Sequence, residues 1–177
     1  MYIVLYISEL CVILLYWVFT MIKYTPEDTS VCFAELPDEV ALGINLSCCP
    51  HRCKGCHSPY LQTNAGVDLT ESILDELIQK NQGITCVLFL GGDVDKARLK
   101  ELACYIRKQY NHEILVGWYS GEDSLDLYQY IDCFDYIKVG SYRQELGGLN
   151  KKTTNQRLYR LHADRSFVED ITSCFWV

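Results

Sequence analysis

Five short apolar runs, each bounded by turn-forming or charged residues, predict the strands of this chain: Val31–Leu36, Val40–Leu46, Ile84–Leu90, Glu113–Ser120 and Tyr136–Val139. Pro37-Asp38-Glu39 separates the first two runs, which predicts a hairpin leading into a core strand. In that core strand Ala41, Gly43 and Asn45 share one face, because side chains alternate along a strand. This face of small side chains leaves room for a ligand.

Between the strands, apolar residues recur with helical periodicity and predict three helices, over residues 68–80, 95–110 and 123–131. The second is the clearest, because apolar residues recur with the spacing of one helix face: Leu99, Leu102, Ala103, Ile106 and Tyr110. The first starts with the capping-box-like pair Asp68 and Glu71. Beyond residue 145 the periodicity fades, and residues 160–177 give no firm signal.

The alternation of strands and helices predicts an α/β fold with a parallel sheet. Four motifs follow predicted strands: Cys49–His57, Gly91-Gly92-Asp93, Tyr119-Ser120-Gly121 and Gly140-Ser141-Tyr142. Ligand sites in parallel α/β folds cluster at the carboxyl edge of the sheet, so we expect one composite site there. The sequence shows no internal repeat or linker, and residues 21–177 are interpreted as a single domain.

The first twenty residues form a nearly unbroken apolar run that is long enough to span a bilayer. Glu9 lies near the middle of this run, where a charge is unfavourable. The run lacks the basic start and the small-residue cleavage site of a signal peptide. Met21 follows it directly. Residues 1–20 are therefore either a membrane anchor or, as we favour, an extension from a misassigned start, and membrane association is not expected.

Composition narrows the class of protein. A chain of 177 residues with net charge -7 lacks the basic excess of a duplex-binding protein, so no nucleic-acid partner is expected. Of the ten cysteines, several lie in apolar periodic segments, where a free thiol behaves as a small hydrophobe; Cys86 and Cys104 are examples. We therefore expect a reducing, cytoplasmic compartment rather than a disulfide framework.

The cysteine loop carries the most specific chemistry. Cys49, Cys53 and Cys56 have the spacing C-x-x-x-C-x-x-C and directly follow a predicted strand. Three thiolates on one loop can hold three irons of a cubane [4Fe–4S] cluster, which normally takes four cysteines. The remaining iron is then open to a ligand that is not protein, and with this spacing the usual ligand is S-adenosylmethionine.

Three other interpretations of the loop are open. A structural zinc site would need a fourth ligand, usually from a second C-x-x-C pair, which the sequence lacks. A thioredoxin-like dithiol of Cys53 and Cys56 would leave Cys49 unused. Cys53–His57 also matches the C-x-x-C-H attachment pattern of c-type haem, as in a membrane-tethered cytochrome. No methionine follows Met21 to serve as an axial ligand, and the predicted fold is not the helical one of small cytochromes, so the cluster is favoured.

Further candidate residues adjoin the expected site. A glycine pair, Gly91 and Gly92, lets the backbone approach a ligand closely, and Asp93 can pair with a ligand ammonium. His57 follows the last cysteine and is a candidate for contact with adenine. Lys138 lies in an otherwise apolar strand, where it either meets a carboxylate inside the fold or reaches the rim.

These motifs together resemble those of the activating proteins of anaerobic ribonucleoside-triphosphate reductases, which are small radical S-adenosylmethionine enzymes. The resemblance spans about residues 41–161, and besides the cysteine loop it includes Phe89–Asp93, Tyr119–Gly121 and Thr154–Arg157. The chain departs from the family pattern at Val94, where proline is frequent, and at Lys138–Tyr142, where an Asp-Gly-Arg segment is expected.

The resemblance implies a small, incomplete βα barrel with parallel strands, in which Cys49, Cys53 and Cys56 hold a [4Fe–4S] cluster. S-adenosylmethionine would chelate the open iron, with contacts from Gly55, Cys56, His57, Gly91, Gly92 and Asp93. An electron from a flavodoxin-like donor would cleave it, and the resulting radical would take a hydrogen from a glycine of the reductase. No catalytic side chain is expected beyond the cluster, because the cofactor carries the chemistry. The expected partner-docking segment is Thr154, Asn155, Gln156 and Arg157.

Two alternatives remain beside this interpretation. One is another small radical S-adenosylmethionine enzyme, either a different glycyl-radical activase or an enzyme similar to 7-carboxy-7-deazaguanine synthase. The other is an iron–sulfur or metal-binding scaffold without enzymatic activity.

Overall fold

The computed structural model of the chain describes residues 22–162 and 168–176. The strands in these ranges are β1 Lys23–Tyr24, β2 Ser30–Cys32, β3 Ala41–Asn45, β4 Val67–Asp68, β5 Cys86–Leu90, β6 Leu115–Tyr119, β7 Tyr136–Val139, β8 Arg157–Leu161 and β9 Val168–Asp170. The α-helices are α1 Glu71–Lys80 and α2 Lys96–Gln109. Short 3₁₀ turns are formed by Pro26–Asp28, Pro59–Gln62, Leu127–Gln129 and Thr172–Phe175.

Seven of the strands form one sheet in the order β2-β3-β5-β6-β7-β8-β9. The four central strands, β3, β5, β6 and β7, are parallel, whereas β2, β8 and β9 run antiparallel to their neighbours. The hairpin of β2 and β3 and the α/β class with parallel central strands are confirmed. Within the described ranges β2 and β9 are the two ends of this order, and the incomplete barrel stays a prediction.

The register of the parallel strands brings their carboxyl ends to one level. Asn45 pairs with Leu90, Leu90 with Tyr119, and Tyr119 with Lys138. The motifs that follow these strands therefore meet at one edge of the sheet, as the sequence predicts.

The two faces of the sheet differ in how they are covered. Helices α1 and α2 pack on one face, where Phe89 and Trp118 of the sheet and Leu99 of α2 are fully buried in one cluster. The opposite face carries a smaller cluster that includes Leu36, Leu88, Tyr136 and Leu158. This uneven covering leaves the second face open toward the carboxyl edge of the sheet.

The first helix begins later than predicted. The expected start at Asp68 is wrong, because Asp68 pairs with Lys23 in the short β1–β4 ladder. Thr70 is the N-cap instead, and its hydroxyl accepts a hydrogen bond from the backbone N–H of Ile73 at 3.3 Å. The second helix is confirmed, with Asp95 as its N-cap.

The third predicted helix, over residues 123–131, is also wrong. The structure has only a 3₁₀ turn at Leu127–Gln129 in this interval. The Asp123 carboxylate accepts hydrogen bonds from the backbone N–H and the hydroxyl of Ser141, at 2.9 and 2.8 Å, and from Arg143 at 2.8 Å. These contacts hold the start of the interval against the loop after β7, and they prevent a helix from forming there.

Of two cysteines expected to be inert core thiols, one is a free thiol and the other forms a disulfide. Cys86 is a fully buried free thiol, as expected, and burial raises its pKa well above the ordinary value. Cys104 is instead joined to Cys133 by a disulfide with a Cα–Cα distance of 4.7 Å, within the usual range for such bonds. The expectation that Cys104 is a free thiol is therefore wrong, because α2 lies directly over the segment that carries Cys133.

Two regions near the ends of the chain remain to be compared with the sequence predictions: the C-terminal strands and residues 1–20. The C-terminal strands β8 and β9 lie in the interval where the sequence gives no clear periodicity, since Arg157, Tyr159 and Arg160 interrupt it with long amphipathic side chains. Residues 1–20, interpreted as an extension or an anchor, lie outside the described residues. Within the described ranges no helix has both the length and the apolar character needed to cross a membrane.

Candidate functional site

A cleft of about 570 Å³ opens on the uncovered face, at the carboxyl edge of the parallel strands. Its floor comes from the small side of β3, Gly43 and Asn45, as the alternation in that strand predicts. Elements from all four central strands line it, so the motifs that follow those strands share one cavity. Asp28 and Tyr60 form part of the wall beside β3.

The cysteine loop is held in place at both ends by backbone hydrogen bonds. The backbone N–H groups of Cys48 and Cys49 donate to the carbonyls of Thr63 and Leu61, at 3.0 and 2.9 Å. Further along, the N–H of Cys56 donates to the Cys53 carbonyl at 3.2 Å, which closes a tight turn around Gly55. The loop therefore has a defined shape that the surrounding segments fix.

The trio of Cys49, Cys53 and Cys56 consists of free, half-buried thiols. Cys49 and Cys56 line the cleft. Burial raises the pKa of the Cys49 thiol, a backbone hydrogen bond from His51 opposes this, and the nearby charges of Asp93, Cys53 and Cys56 add to the rise. Three free thiols on one loop beside a cavity are a donor set suited to a soft metal ion or an iron–sulfur cluster.

Cys48 is distinct from the trio although it adjoins Cys49 in sequence. Its thiol lies 3.8 Å from the side-chain oxygen of Asn64 and donates to it. Asn64 belongs to the segment that follows the Pro59–Gln62 turn, outside the cleft. Cys48 itself does not line the cleft, unlike Cys49 and Cys56, which supports three ligands on the loop rather than four.

The spacing of the trio favours a cluster over a single ion. Within the described ranges, the group of ligand atoms that all lie within 4.8 Å of one another is His51, Asp93 and Glu122, and the three cysteines do not form such a group. A tetrahedral zinc ion with Zn–S bonds of about 2.3 Å would draw its sulfurs within about 4 Å of one another. Sulfurs that bind three different irons of a cubane are spread more widely, so the donor set fits a cluster.

Asp93 is buried at the edge of the cleft and connects the segments that meet there. Its side chain is 1% exposed. One carboxylate oxygen accepts from the hydroxyl of Ser120 at 2.5 Å, and the other accepts from the N–H of Gly121 at 2.9 Å. His51 Nε2 lies 3.0 Å from that second oxygen, without the alignment of a hydrogen bond. Asp93 thus ties the ends of β5 and β6 to the cysteine loop. Its predicted pairing with a ligand ammonium stays a prediction.

Three glycines permit this close packing. Gly91 and Gly92 have φ values of 104° and 96°, which residues with a side chain rarely adopt. The Gly91 carbonyl accepts a hydrogen bond from the indole of Trp118 at 2.8 Å, which fixes the turn against the core. At Gly121 a Cβ atom would lie 2.5 Å from the His51 ring, so the absence of a side chain allows the imidazole to reach Asp93.

The other predicted contacts for S-adenosylmethionine lie at the rim. His57 is exposed and lines the cleft, with its Nδ1 3.5 Å from the Ser58 hydroxyl. Gly55 is exposed with φ 72°, and the side chain of Gln144 lies against it. The structure thus brings Cys56, His57, Gly91 and Asp93 to one cavity. Gly55 and Gly92 do not line it, and Gly92 is buried against Leu46 and Leu99.

For Lys138 the sequence left open a contact with a carboxylate inside the fold or a position at the rim, and its hydrogen-bond partner is instead a backbone carbonyl. The structure buries it: the residue is 8% exposed and lines the cleft. Its Nζ donates to the Gly140 carbonyl at 3.0 Å and lies 5.7 Å from the Tyr119 ring centroid. Burial lowers its pKa to about 8, and the charges of Asp93, Cys53 and Cys49 oppose that lowering.

The segment Thr154–Arg157 is largely turned inward. Thr154 and Gln156 are 3% and 7% exposed. The side chains of Asn155 and Gln156 donate to the carbonyls of Ser141 and Gly140, so they brace the loop after β7. Gln156 also lines the cleft, which the sequence did not indicate. The proposed docking role of this segment stays a prediction.

Comparison with known proteins identifies the family of this chain. The model of the 4Fe-4S single cluster domain family matches residues 40–162, which include the whole cysteine loop and strands β3 to β8. No curated protein and no solved structure matches the chain. The match covers well over half of the 177 residues, and the cysteine trio it includes has the free, half-buried thiols that a cluster requires. The chain therefore belongs to the 4Fe-4S single cluster domain family and is an iron–sulfur protein.

Proposed function

We propose that this iron–sulfur protein is a radical S-adenosylmethionine enzyme that activates an anaerobic ribonucleoside-triphosphate reductase. In this proposal Cys49, Cys53 and Cys56 hold the [4Fe–4S] cluster. When bound, the cluster supplies the electron that cleaves S-adenosylmethionine, and the resulting 5′-deoxyadenosyl radical takes a hydrogen atom from a glycine of the reductase.

The observation that carries the proposal is the three-cysteine site beside an open cavity. Cys48, the nearest further thiol in sequence, donates a hydrogen bond to Asn64 and does not line the cleft. A cluster held by the trio would therefore present one iron without a cysteine ligand to the 570 Å³ cleft. A cavity of that size falls in the range of sites for small molecules of 300–1,000 Å³.

The residues of the chain would bind and orient the cofactor rather than exchange protons with it. The turn at Gly91 lines the cleft with backbone atoms alone, because glycine has no side chain. Asp93 holds the turn in place through Ser120 and Gly121. Positioning of this kind is the contribution that a protein makes when the cofactor carries the chemistry.

The protein substrate would reach the cleft from its open side. Phe33 and Tyr60 are 74% and 43% exposed, and Tyr60 lines the cavity. Exposed aromatic residues beside a cavity are typical of surfaces that bind another protein. We propose a flavodoxin-like protein as the electron donor and the glycyl-radical subunit of the reductase as the partner.

The experiment is an EPR measurement of the reductase. The anaerobically reconstituted protein is mixed with the purified glycyl-radical subunit, S-adenosylmethionine and dithionite. We expect a glycyl-radical doublet in the reductase and one 5′-deoxyadenosine formed per radical. Cys53→Ala should abolish both products, because it removes one ligand of the cluster.

Cys48→Ala is the matched control, since it removes an adjacent thiol that contacts Asn64 and does not line the cleft. It should retain the doublet. If S-adenosylmethionine is cleaved but no glycyl radical forms, the protein is a radical enzyme of another kind, and the activase assignment is wrong. If the loaded protein cleaves none, the radical assignment is wrong.

A further inference from the structure

A buried cation faces the same cavity as the cysteine trio. Lys138 lies in β7 between Tyr119 of β6 and Leu158 of β8, on the face that carries the cleft. Only 8% of the residue is exposed. Its Nζ donates one hydrogen bond, to the Gly140 carbonyl, and a second side-chain contact is the face of the Tyr119 ring.

This ammonium is not matched by a carboxylate. Within the described ranges, no carboxylate oxygen lies within 4.0 Å of its Nζ. An isolated charge in such a place is unfavourable unless another charge compensates it. The compensating charge must therefore come from acidic groups that lie farther than 4.0 Å from it.

Several acidic groups supply negative charge: the carboxylates of Asp28, Glu35 and Asp93 line the cavity, and Asp123 also acts on the ammonium. The carboxylate of Asp93 is already held by Ser120 and Gly121, with His51 beside it. The trio is a further source, since the charges of Cys53 and Cys49 raise the pKa of Lys138 against the effect of burial. A cubane held by three thiolates is anionic, and an added electron makes it more so.

We propose that Lys138 is the buried counter-charge of the cluster held by Cys49, Cys53 and Cys56, and that it favours the one-electron-reduced cluster. The charge of a site and its exposure to water are among the factors that set the potential of an iron–sulfur cluster. The inference needs the cluster alone. It goes beyond the proposed function, because it would hold for this iron–sulfur protein even if S-adenosylmethionine were not its ligand.

The size of the effect follows from the dimensions of the cavity. A sphere of 570 Å³ is about 10 Å across, so charges on its walls act over that distance. At an effective dielectric constant of about 20, a unit charge within about 12 Å changes an electron-transfer equilibrium at least tenfold, and the width of the cavity is within that distance. Lys54 provides the contrast, because it lies within the cysteine loop but is exposed, and water screens its charge.

The test is a redox titration of the full, anaerobically reconstituted chain, without S-adenosylmethionine. Dithionite is the one-electron donor, and the EPR signal of the reduced cluster is followed against potential. For Lys138→Met we expect the equilibrium constant for reduction to fall at least tenfold, which for one electron is a shift of about 59 mV to more negative potential. Lys138→Arg should stay within threefold of the parent chain, because it keeps the charge.

Lys54→Met is the matched control and should also stay within threefold. The iron and sulfide content of each variant shows that it is loaded, and Lys138→Gln replaces Lys138→Met if the latter does not take up the cluster. A potential within threefold of the parent in a loaded Lys138→Met or Lys138→Gln chain overturns the proposal. So does an equal shift in Lys54→Met, or a shift in Lys138→Arg as large as that in Lys138→Met.

Discussion

The carboxylate of Asp93 offers the sharpest test of how the cleft is built. Replacing it by asparagine keeps the shape of the side chain but removes one acceptor oxygen and the negative charge. Both oxygens now accept hydrogen bonds, from Ser120 at 2.5 Å and from the Gly121 N–H at 2.9 Å. The side chain is 1% exposed, so water cannot replace a lost partner.

The expected loss can be worked out from these contacts. In Asp93→Asn the new amide group must face one of two donors, the Ser120 hydroxyl or the Gly121 N–H. One hydrogen bond to a charged acceptor is then lost, worth about 1.5–3 kcal/mol, and a buried donor is left unpaired at a similar cost. Partial relaxation is expected because the Ser120 hydroxyl can rotate. We therefore expect the free energy of unfolding to fall by about 3 kcal/mol.

Urea denaturation of the cluster-free, reduced chain measures this change, followed by far-UV circular dichroism. Asp126→Asn is the matched control, because Asp126 is exposed and its carboxylate accepts from a neighbouring exposed side chain, Gln129. It should change the free energy of unfolding by about 0.5 kcal/mol or less. A loss in Asp93→Asn no greater than that of Asp126→Asn would refute the role given to Asp93.

Three further predictions follow from other contacts. Because burial lowers the folded-state pKa of Lys138 to about 8, below the unfolded value of about 10.4, the protonated lysine destabilises the fold below pH 8, and this penalty falls as the pH rises toward 10.4. Urea denaturation should show any stability advantage of Lys138→Met over the parent shrinking by about 2 kcal/mol between pH 7 and 10; a constant difference would contradict this. Arg157→Ala should weaken activation of the reductase while sparing iron and sulfide content, and equal loss of both would show a purely structural segment. Thr70→Ala should destabilise the fold by about 1 kcal/mol in the same urea assay through loss of the cap on Ile73, and an unchanged midpoint would contradict that.

The pattern of apolar residues predicted two kinds of element: a strand that is buried on both faces, and a helix with one continuous apolar face. The strand β5 was expected from a continuous apolar run, and the register places it at the centre of the parallel strands. Helix α2 was expected from its apolar stripe, and Asp95 caps it as that stripe requires. These elements could be predicted because a continuous apolar run or a regular helical spacing of apolar residues is visible in the local sequence.

Elements held by contacts distant in sequence were not predictable in the same way. The interval 123–131 has helical spacing, yet Asp123 bonds to Ser141 and Arg143, eighteen and twenty residues further along. Strand β8 carries long amphipathic side chains, and its place beside β7 is decided by pairing rather than by its own pattern. The Cys104–Cys133 disulfide likewise depends on how α2 lies over the following segment.

The candidate site shows the same division. Its three cysteines could be named from their spacing alone, since ligands on one short loop need no knowledge of the fold. The role of Asp93 as a tie between two strands could not, because Ser120 and Gly121 follow a different strand. Lys138 stood out as a charge in an apolar strand, but only the pairing with Tyr119 and the position of the cleft show where its ammonium lies.

The most direct measurement of the central claim is the EPR spectrum of the dithionite-reduced protein, recorded before and after addition of S-adenosylmethionine. The account predicts a [4Fe–4S]⁺ signal in the parent chain and in Cys48→Ala, with a changed spectrum once S-adenosylmethionine occupies the iron that no cysteine binds. Cys53→Ala should lack the signal. A fully loaded, reduced cluster whose spectrum is the same with and without S-adenosylmethionine would contradict the account, as would a Cys53→Ala chain with an undiminished signal.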